Sequence, residues 1–329
     1  MLSKSLKLML SSFLCMVSFS LPRAQEKTLG KVIVTISVDW EGRSLSGNNL
    51  NAMVGFRKRF KTIPLTHFFN AAYFTRQSSP ALLLPRIKRT MEAQDEIGLH
   101  IHCWRSLVLG SGVSFLREPT FWGPLYELTE FQGDLGHEVE LDAYELQDIR
   151  KIVQNSTKII QSLGFQVSSS FRCGGWLASP KVLEAIRAEG FLIDSSATDR
   201  RWHQDEISEY LIYERMGELW KEVTAETQPF FIETKAGSVL EMPDTGALAD
   251  YITAEEMNQH LAEALKQVTP DTRRFVHLGF HQETAEEYLP RLITTLEQWQ
   301  SHPDLYFCTL EKAAQLVKES LAPSAETKK

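Results

Sequence analysis

The 329-residue sequence has four cysteines, none of them in a CxxC spacing. Cys15 falls in a leader-like segment, so three remain, Cys103, Cys173 and Cys308. An odd set without paired spacing argues against a disulfide framework or a thiolate zinc cage, and leaves buried thiols as the plain reading. Basic residues are outnumbered as well, 35 Lys and Arg against 42 Asp and Glu, for a net charge of −7. Nucleic-acid affinity rests largely on clustered Lys and Arg, so nucleic acid is not an expected partner. There is also no internal repeat and no interdomain linker. With 43% hydrophobic and 23% charged residues, the chain matches an ordinary globular protein, and its length suits one large domain as well as two.

The one notable apolar run lies at the start. Lys4 and Lys7 precede Leu8 to Phe19, and Ser18, Ser20 and Ala24 offer small residues for cleavage. The run is short for a membrane span, so residues 1–24 read as a signal peptide, with an uncleaved anchor as the alternative. The expectation is an exported protein, periplasmic or extracellular, without stable membrane insertion after cleavage.

Downstream, short β-branched runs alternate with amphipathic stretches, the signature of strands and helices around a largely parallel sheet. Expected strands are Val32 to Val38, Thr66 to Ala71, Glu96 to His102, Val167 to Phe171, Phe191 to Asp194, Val239 to Met242, Arg274 to Phe280 and Leu305 to Thr309. Capping-box spacings at Asp142 with Glu145, Thr253 with Glu256 and Thr284 with Glu287 predict helix starts, as does Ser179-Pro180. Segments near 104–140 and 198–229 lack a period and read as long loops or insertions. One domain is expected over residues 30–320, with a disordered tail over 321–329.

Barrels place their chemistry at the C-terminal ends of their strands. There the sequence puts Asp39 and Glu41, His100 and His102, Arg172, Asp194 and His281. In an extended segment, side chains two apart share a side, so Asp39 pairs with Glu41 and His100 with His102. Two imidazoles and a carboxylate around a divalent ion are a recurrent hydrolytic arrangement, in which the ion polarises a carbonyl and lowers the pKa of a water.

At these residues the chain resembles the polysaccharide deacetylases of carbohydrate esterase family 4, the NodB-homology group. Ser37-Val38-Asp39-Trp40 resembles the family's T-F-D-D motif, and Glu96-Ile97-Gly98-Leu99-His100 its E-I-G-x-H stretch. Phe171 to Trp176 resembles its F-R-x-P-x-G segment, Gly190 to Ser196 its glycine-aromatic then D-S-S segment, and His277 to His281 its histidine-bearing strand end. The resemblance implies a deformed (β/α)7-type barrel, a divalent metal of the zinc kind, and removal of N-acetyl groups from an aminosugar-containing polysaccharide. It implies Asp39 as general base, His100 as metal ligand, His281 as general acid, Arg172 holding the base, and Asp194 in support.

Two departures stand out. Trp40 occupies the family's second aspartate position, so its role passes to Glu41; Trp104 occupies the second histidine position, so His102 must substitute. Glu41, His100 and His102 thus form the expected metal set. Trp40, Trp104 and Trp176 are candidates for stacking on sugar rings. Trp40 and Trp104 also keep open a non-catalytic glycan-binding protein, and a related hydrolase of a linear or cyclic non-sugar amide is a further alternative. His67 and His277 read as structural residues, and His137, His203, His260 and His302 as solvated. The identity of the glycan and the oligomeric state are left open by the sequence.

Overall fold

All nine residues of β1 (Val32–Trp40) are buried, as expected of a strand covered on both faces of a parallel sheet. The computed structural model describes residues 31–76 and 80–321; the expected signal peptide and the tail beyond Leu321 lie outside the described residues. After β1 come β2 (Thr66–Asn70), β3 (Glu96–Ile101), β4 (Val167–Cys173), β5 (Ile193–Asp194), β6 (Phe230–Thr234), β7 (Gly237–Glu241), β8 (Arg274–His281) and β9 (Leu305–Phe307). Their order is β6-β7-β5-β4-β3-β2-β1-β8, with β9 also on β1. Every pairing is parallel except β6 with β7.

The sheet curls into an incomplete barrel, a deformed (β/α) barrel in a single domain. Between β7 and β8 the wall is completed by irregular chain. Gly246 N–H donates to the His277 carbonyl and Ala249 N–H to that of Gly279, both backbone bonds to β8.

The period of two decides what each strand shows to either side. Thr35, Ser37 and Asp39 of β1 share hydrogen bonds with His277 and Arg172, whereas Trp40 packs with His67, Phe69 and Tyr73 on the opposite side. Ile33 and Phe275, near the N-terminal ends of β1 and β8, join Phe68 of β2 in an apolar layer with Leu310, Ala313 and Ala314 of the last helix, Leu310–Leu321. That helix is pinned by its own backbone: Leu310 N–H donates to Thr66 Oγ1 and Glu311 N–H to Glu96 Oε2.

Three of the four helix starts form where the spacing predicts. Thr253 and Glu256 make a reciprocal capping box, and Ser179 caps a helix with Pro180 in its first turn. A third helix begins at Ala285, directly after Thr284, although the Thr284 hydroxyl donates to Asp250 rather than capping it. The helix after Asp142 starts only at Leu146, with Asp142 bonded to Ser179. The segment near 198–229 is largely helical, with turns at Arg200–His203, Gln204–Ile207 and Leu211–Leu219. β6 was not expected from the sequence. Among the described residues no helix is long and apolar enough to cross a membrane.

Candidate active site

β1 delivers Asp39 and, one residue past its end, Glu41; β3 delivers His100, with His102 just beyond. The four side chains line one cavity at the C-terminal strand ends, with His281 from the end of β8. One ligand atom each from Glu41, His100 and His102 lies within 4.8 Å of the others.

The hydrogen bonds fix the two imidazoles. His100 Nδ1 lies 2.9 Å from the Arg172 carbonyl, and His102 Nδ1 2.7 Å from that of His137. A carbonyl only accepts, so both Nδ1 atoms carry hydrogen, and in its neutral form each ring would present the lone pair of Nε2. This is the outer hydrogen bond that orients a metal-ligating histidine. His100 Nε2 stands 3.1 Å from Glu41 Oε1 and His102 Nε2 2.8 Å from Oε2. The latter approach lacks hydrogen-bond geometry, so His102 Nε2 is a buried nitrogen without a hydrogen-bond partner. A lone pair aimed at a carboxylate oxygen fits a cation shared between them, and two imidazoles with a carboxylate are a donor set suited to zinc. Burial opposes ionisation of Glu41, but His102, His100 and His137 outweigh it and hold the carboxyl well below the usual carboxylate range.

Beside this set, Arg172 is fully buried and donates through one nitrogen to both Asp39 oxygens, at 2.9 and 3.1 Å. Its other nitrogens reach the Ser195 carbonyl, Ser195 Oγ and His277 Nε2. Because a guanidinium only donates, His277 accepts there, and burial with Arg172 nearby pushes its pKa well down, so it stays neutral. Burial opposes the charge on Arg172 too, but Asp39 and Asp244 raise its pKa.

His281 Nδ1 lies 3.2 Å from Asp250 Oδ2 and its Nε2 3.5 Å from Glu41 Oε1. Burial would lower its pKa; Asp250, followed by Glu41 and Asp39, overcomes burial and raises it to about 10. The carboxylate partner that keeps His281 protonated is therefore Asp250. Asp194, named for support, is fully buried away from the cavity, where its Oδ1 accepts from Ser196 Oγ.

The tryptophans divide. Trp176 lines the cavity, with its indole nitrogen 3.1 Å from Asp244 Oδ2. Trp40 and Trp104 are fully buried and do not line it, so neither offers a face to a sugar. The indole of Trp40 donates to His67 Nδ1, whose Nε2 meets Asp95, a structural role for His67. Cys173 touches the cavity, but burial raises its thiol pKa well above the usual range, which disfavours a thiolate nucleophile.

His137 is the residue that sequence reasoning missed. It was expected in solvent, yet it is buried, its ring stacks on His102 at 3.9 Å, and its Nε2 lies 2.6 Å from Glu41 Oε2. Burial and His102 lower its pKa to about 3, so it is neutral and can donate to the carboxylate. It lies in an aperiodic stretch, and only Gly136 before it, with φ of +99°, marks a turn. His203 is also buried rather than solvated. Glu283, likewise unforeseen, accepts from the backbone N–H of Glu41 and of Arg43.

The sequence matches no protein-family model and no curated protein. Solved structures do match. A putative polysaccharide deacetylase from Mycobacterium smegmatis superposes with a TM-score of 0.54 at 13% identity, over 91% of this chain and 95% of that one. The chain has the polysaccharide-deacetylase fold. Puue allantoinase shares that fold with a TM-score of 0.51 at 13% identity, over 88% of this chain and 91% of its own. A 4-alpha-glucanotransferase from Thermococcus litoralis reaches 0.53 at 12% identity, over 87% of this chain but 40% of the larger enzyme. On the deacetylase fold, then, this chain sets a carboxylate and two imidazoles capable of holding a metal beside an Asp–Arg and a His–Asp pair.

Proposed function

We propose that the chain is a metal-dependent hydrolase that removes N-acetyl groups from an aminosugar-containing polysaccharide. The observation that carries this reading is the convergence of Glu41, His100 and His102 within 4.8 Å, beside the Asp39–Arg172 pair and His281. Glu41, His100 and His102 would hold the ion, and zinc suits them best. When bound, it supplies Lewis acidity, polarising the acyl carbonyl and lowering the pKa of a water.

The remaining work belongs to side chains. Asp39, oriented by Arg172, accepts a proton from the attacking water as general base. His281, kept protonated by Asp250, donates its proton to the departing amine. Each proton transfer of this kind contributes about 10²–10⁴-fold to a rate. Trp176 and Phe121 wall the cavity and restrict solvent around the acyl group. Residues 1–24 support action outside the cytoplasm, which fractionation of cells expressing the full chain would test.

Acetate release from an N-acetylglucosamine oligomer tests the reading. The wild-type protein releases acetate, and a chelator suppresses the release reversibly. Undiminished release after chelation, or from Asp39→Asn, would overturn it.

A second reading is favoured by the cavity itself, about 60 Å³, and by the fold shared with an allantoinase. The same side chains would then hydrolyse a small non-sugar amide, and turnover of cyclic amides with none of glycans would select it. A non-catalytic binder loses its motive, because Trp40 and Trp104 are buried while Glu41 and His102 line the cavity.

A further inference from the structure

A second cavity adjoins the first, and its volume of about 370 Å³ is some six times larger. Trp122 and His137 line both, so the two spaces share a wall. The smaller one has room for roughly four waters, enough for an acyl group but not for a sugar ring as well. The larger falls in the range of small-molecule sites, about 300–1,000 Å³.

The lining of the larger cavity has two chemistries. Aromatic rings cluster at its side: Trp122 meets Tyr210 with centroids 5.0 Å apart and Tyr126 at 6.2 Å. Both tyrosines remain accessible, 42% and 39% exposed. Deeper lies Glu138, only 2% exposed. Its Oε1 accepts from the Thr129 N–H at 3.2 Å, while its Oε2 is buried with no hydrogen-bond partner. A buried carboxylate oxygen left without a donor is costly, so this wall suits a ligand that brings hydrogen-bond donors. Arg43, whose guanidinium stacks on Phe131 at 4.5 Å, supplies donors of its own. Aromatic faces with an acceptor and a donor beside them suit a ring that has apolar C–H faces and a rim of hydroxyls.

We propose that this cavity is a carbohydrate subsite, taking the pyranose ring next to the acetylated unit of a glycan chain. The inference rests on the glycan-deacetylase reading and deepens it. It also gives the segments near 104–140 and 198–229 a role, since Trp122, Tyr126 and Glu138 come from one and Tyr210 from the other.

Tyr210→Ala and Glu138→Gln test it, because neither residue lines the smaller cavity. With an N-acetylglucosamine tetramer as substrate, each variant should lose about tenfold in kcat/KM, in line with one stacking contact or one hydrogen bond. With a small acetylated substrate that lacks a second ring, kcat/KM should not change. Equal loss on both substrates, or no loss on the tetramer, would overturn the subsite. Calorimetric binding of the tetramer keeps the two readings apart. If wild-type protein releases no acetate but binds the tetramer, and Tyr210→Ala weakens binding about tenfold, the deacetylase reading fails and the subsite stands. Absence of binding by the wild-type protein would sink the subsite.

Discussion

The indole Nε1 of Trp104 donates to the main-chain carbonyl of Glu41 at 2.8 Å. The residue in the position of the expected second histidine ligand thus holds the backbone of the carboxylate that replaces an expected aspartate. Trp104→Phe keeps an aromatic ring and removes that donor, leaving the carbonyl only the 3.5 Å contact from Asn70. The expected outcome is a loss of about 1–3 kcal/mol in stability and of about 10–100-fold in metal affinity. Denaturant melts and chelator competition measure the two separately. Unchanged metal affinity would show that the indole only fills space.

Gly174 lies against a ligand. A Cβ built there would sit 2.7 Å from His102 Cε1 and 2.7 Å from the Ile101 carbonyl, closer than real Cβ contacts come. Gly174→Ala should therefore displace the imidazole and weaken metal binding, with about 1–3 kcal/mol of overpacking strain. Calorimetric titration with zinc checks this. Wild-type affinity in the variant would mean that the β4 end moves freely.

Asp194 and Glu241 are register partners on β5 and β7. Both are fully buried, and Asp194 Oδ2 and Glu241 Oε2 lack other partners. Burial raises the Glu241 pKa well above its ordinary value, and Asp194 raises it further, so the pair shares a proton. A native pKa raised above the unfolded one gives stability that is complete below the unfolded value, near pH 4, and is lost as pH rises through the native value. As pH rises above the ordinary carboxylate range, wild-type Tm should therefore fall more steeply than that of Glu241→Gln, which keeps a donor toward Asp194 without titrating. Parallel Tm profiles would contradict the shared proton.

Arg172 and Asp39 are a buried pair, and removing one partner strands the other. Arg172→Met should cost about 3–5 kcal/mol, and Asp39→Asn in the same chain should recover part of that loss. A double-mutant cycle in urea measures it. Additive losses would mean that the two are not coupled in folding.

Much of this architecture is legible in the sequence, because hydrophobic periodicity is a local property. Eight of the nine strands among the described residues start within two residues of expectation: Val32, Thr66, Glu96, Val167, Phe191, Val239, Arg274 and Leu305 set against β1, β2, β3, β4, β5, β7, β8 and β9. β6 was missed because its five residues are all part-exposed or exposed, with no clean apolar alternation. Alternation also placed Asp39 with Glu41 and His100 with His102, and it should have placed Trp40 on the opposite side from Asp39. Trp104 misled for another reason: the strand ends at Ile101, and Trp104 already begins the next helix. His137 and Asp250 reach the site through irregular chain, where no period reports direction. Their roles arise from tertiary packing alone.

The claim on which the rest depends is that Glu41, His100 and His102 hold one divalent ion. Elemental analysis of the purified protein, dialysed against metal-free buffer after exposure to zinc, tests it most directly. The account predicts an equimolar ion in the wild-type protein, retained in Asp39→Asn and lost in His100→Ala and His102→Ala, with all variants folded by circular dichroism. A metal-free wild-type protein, or an ion retained in both histidine variants, would contradict it.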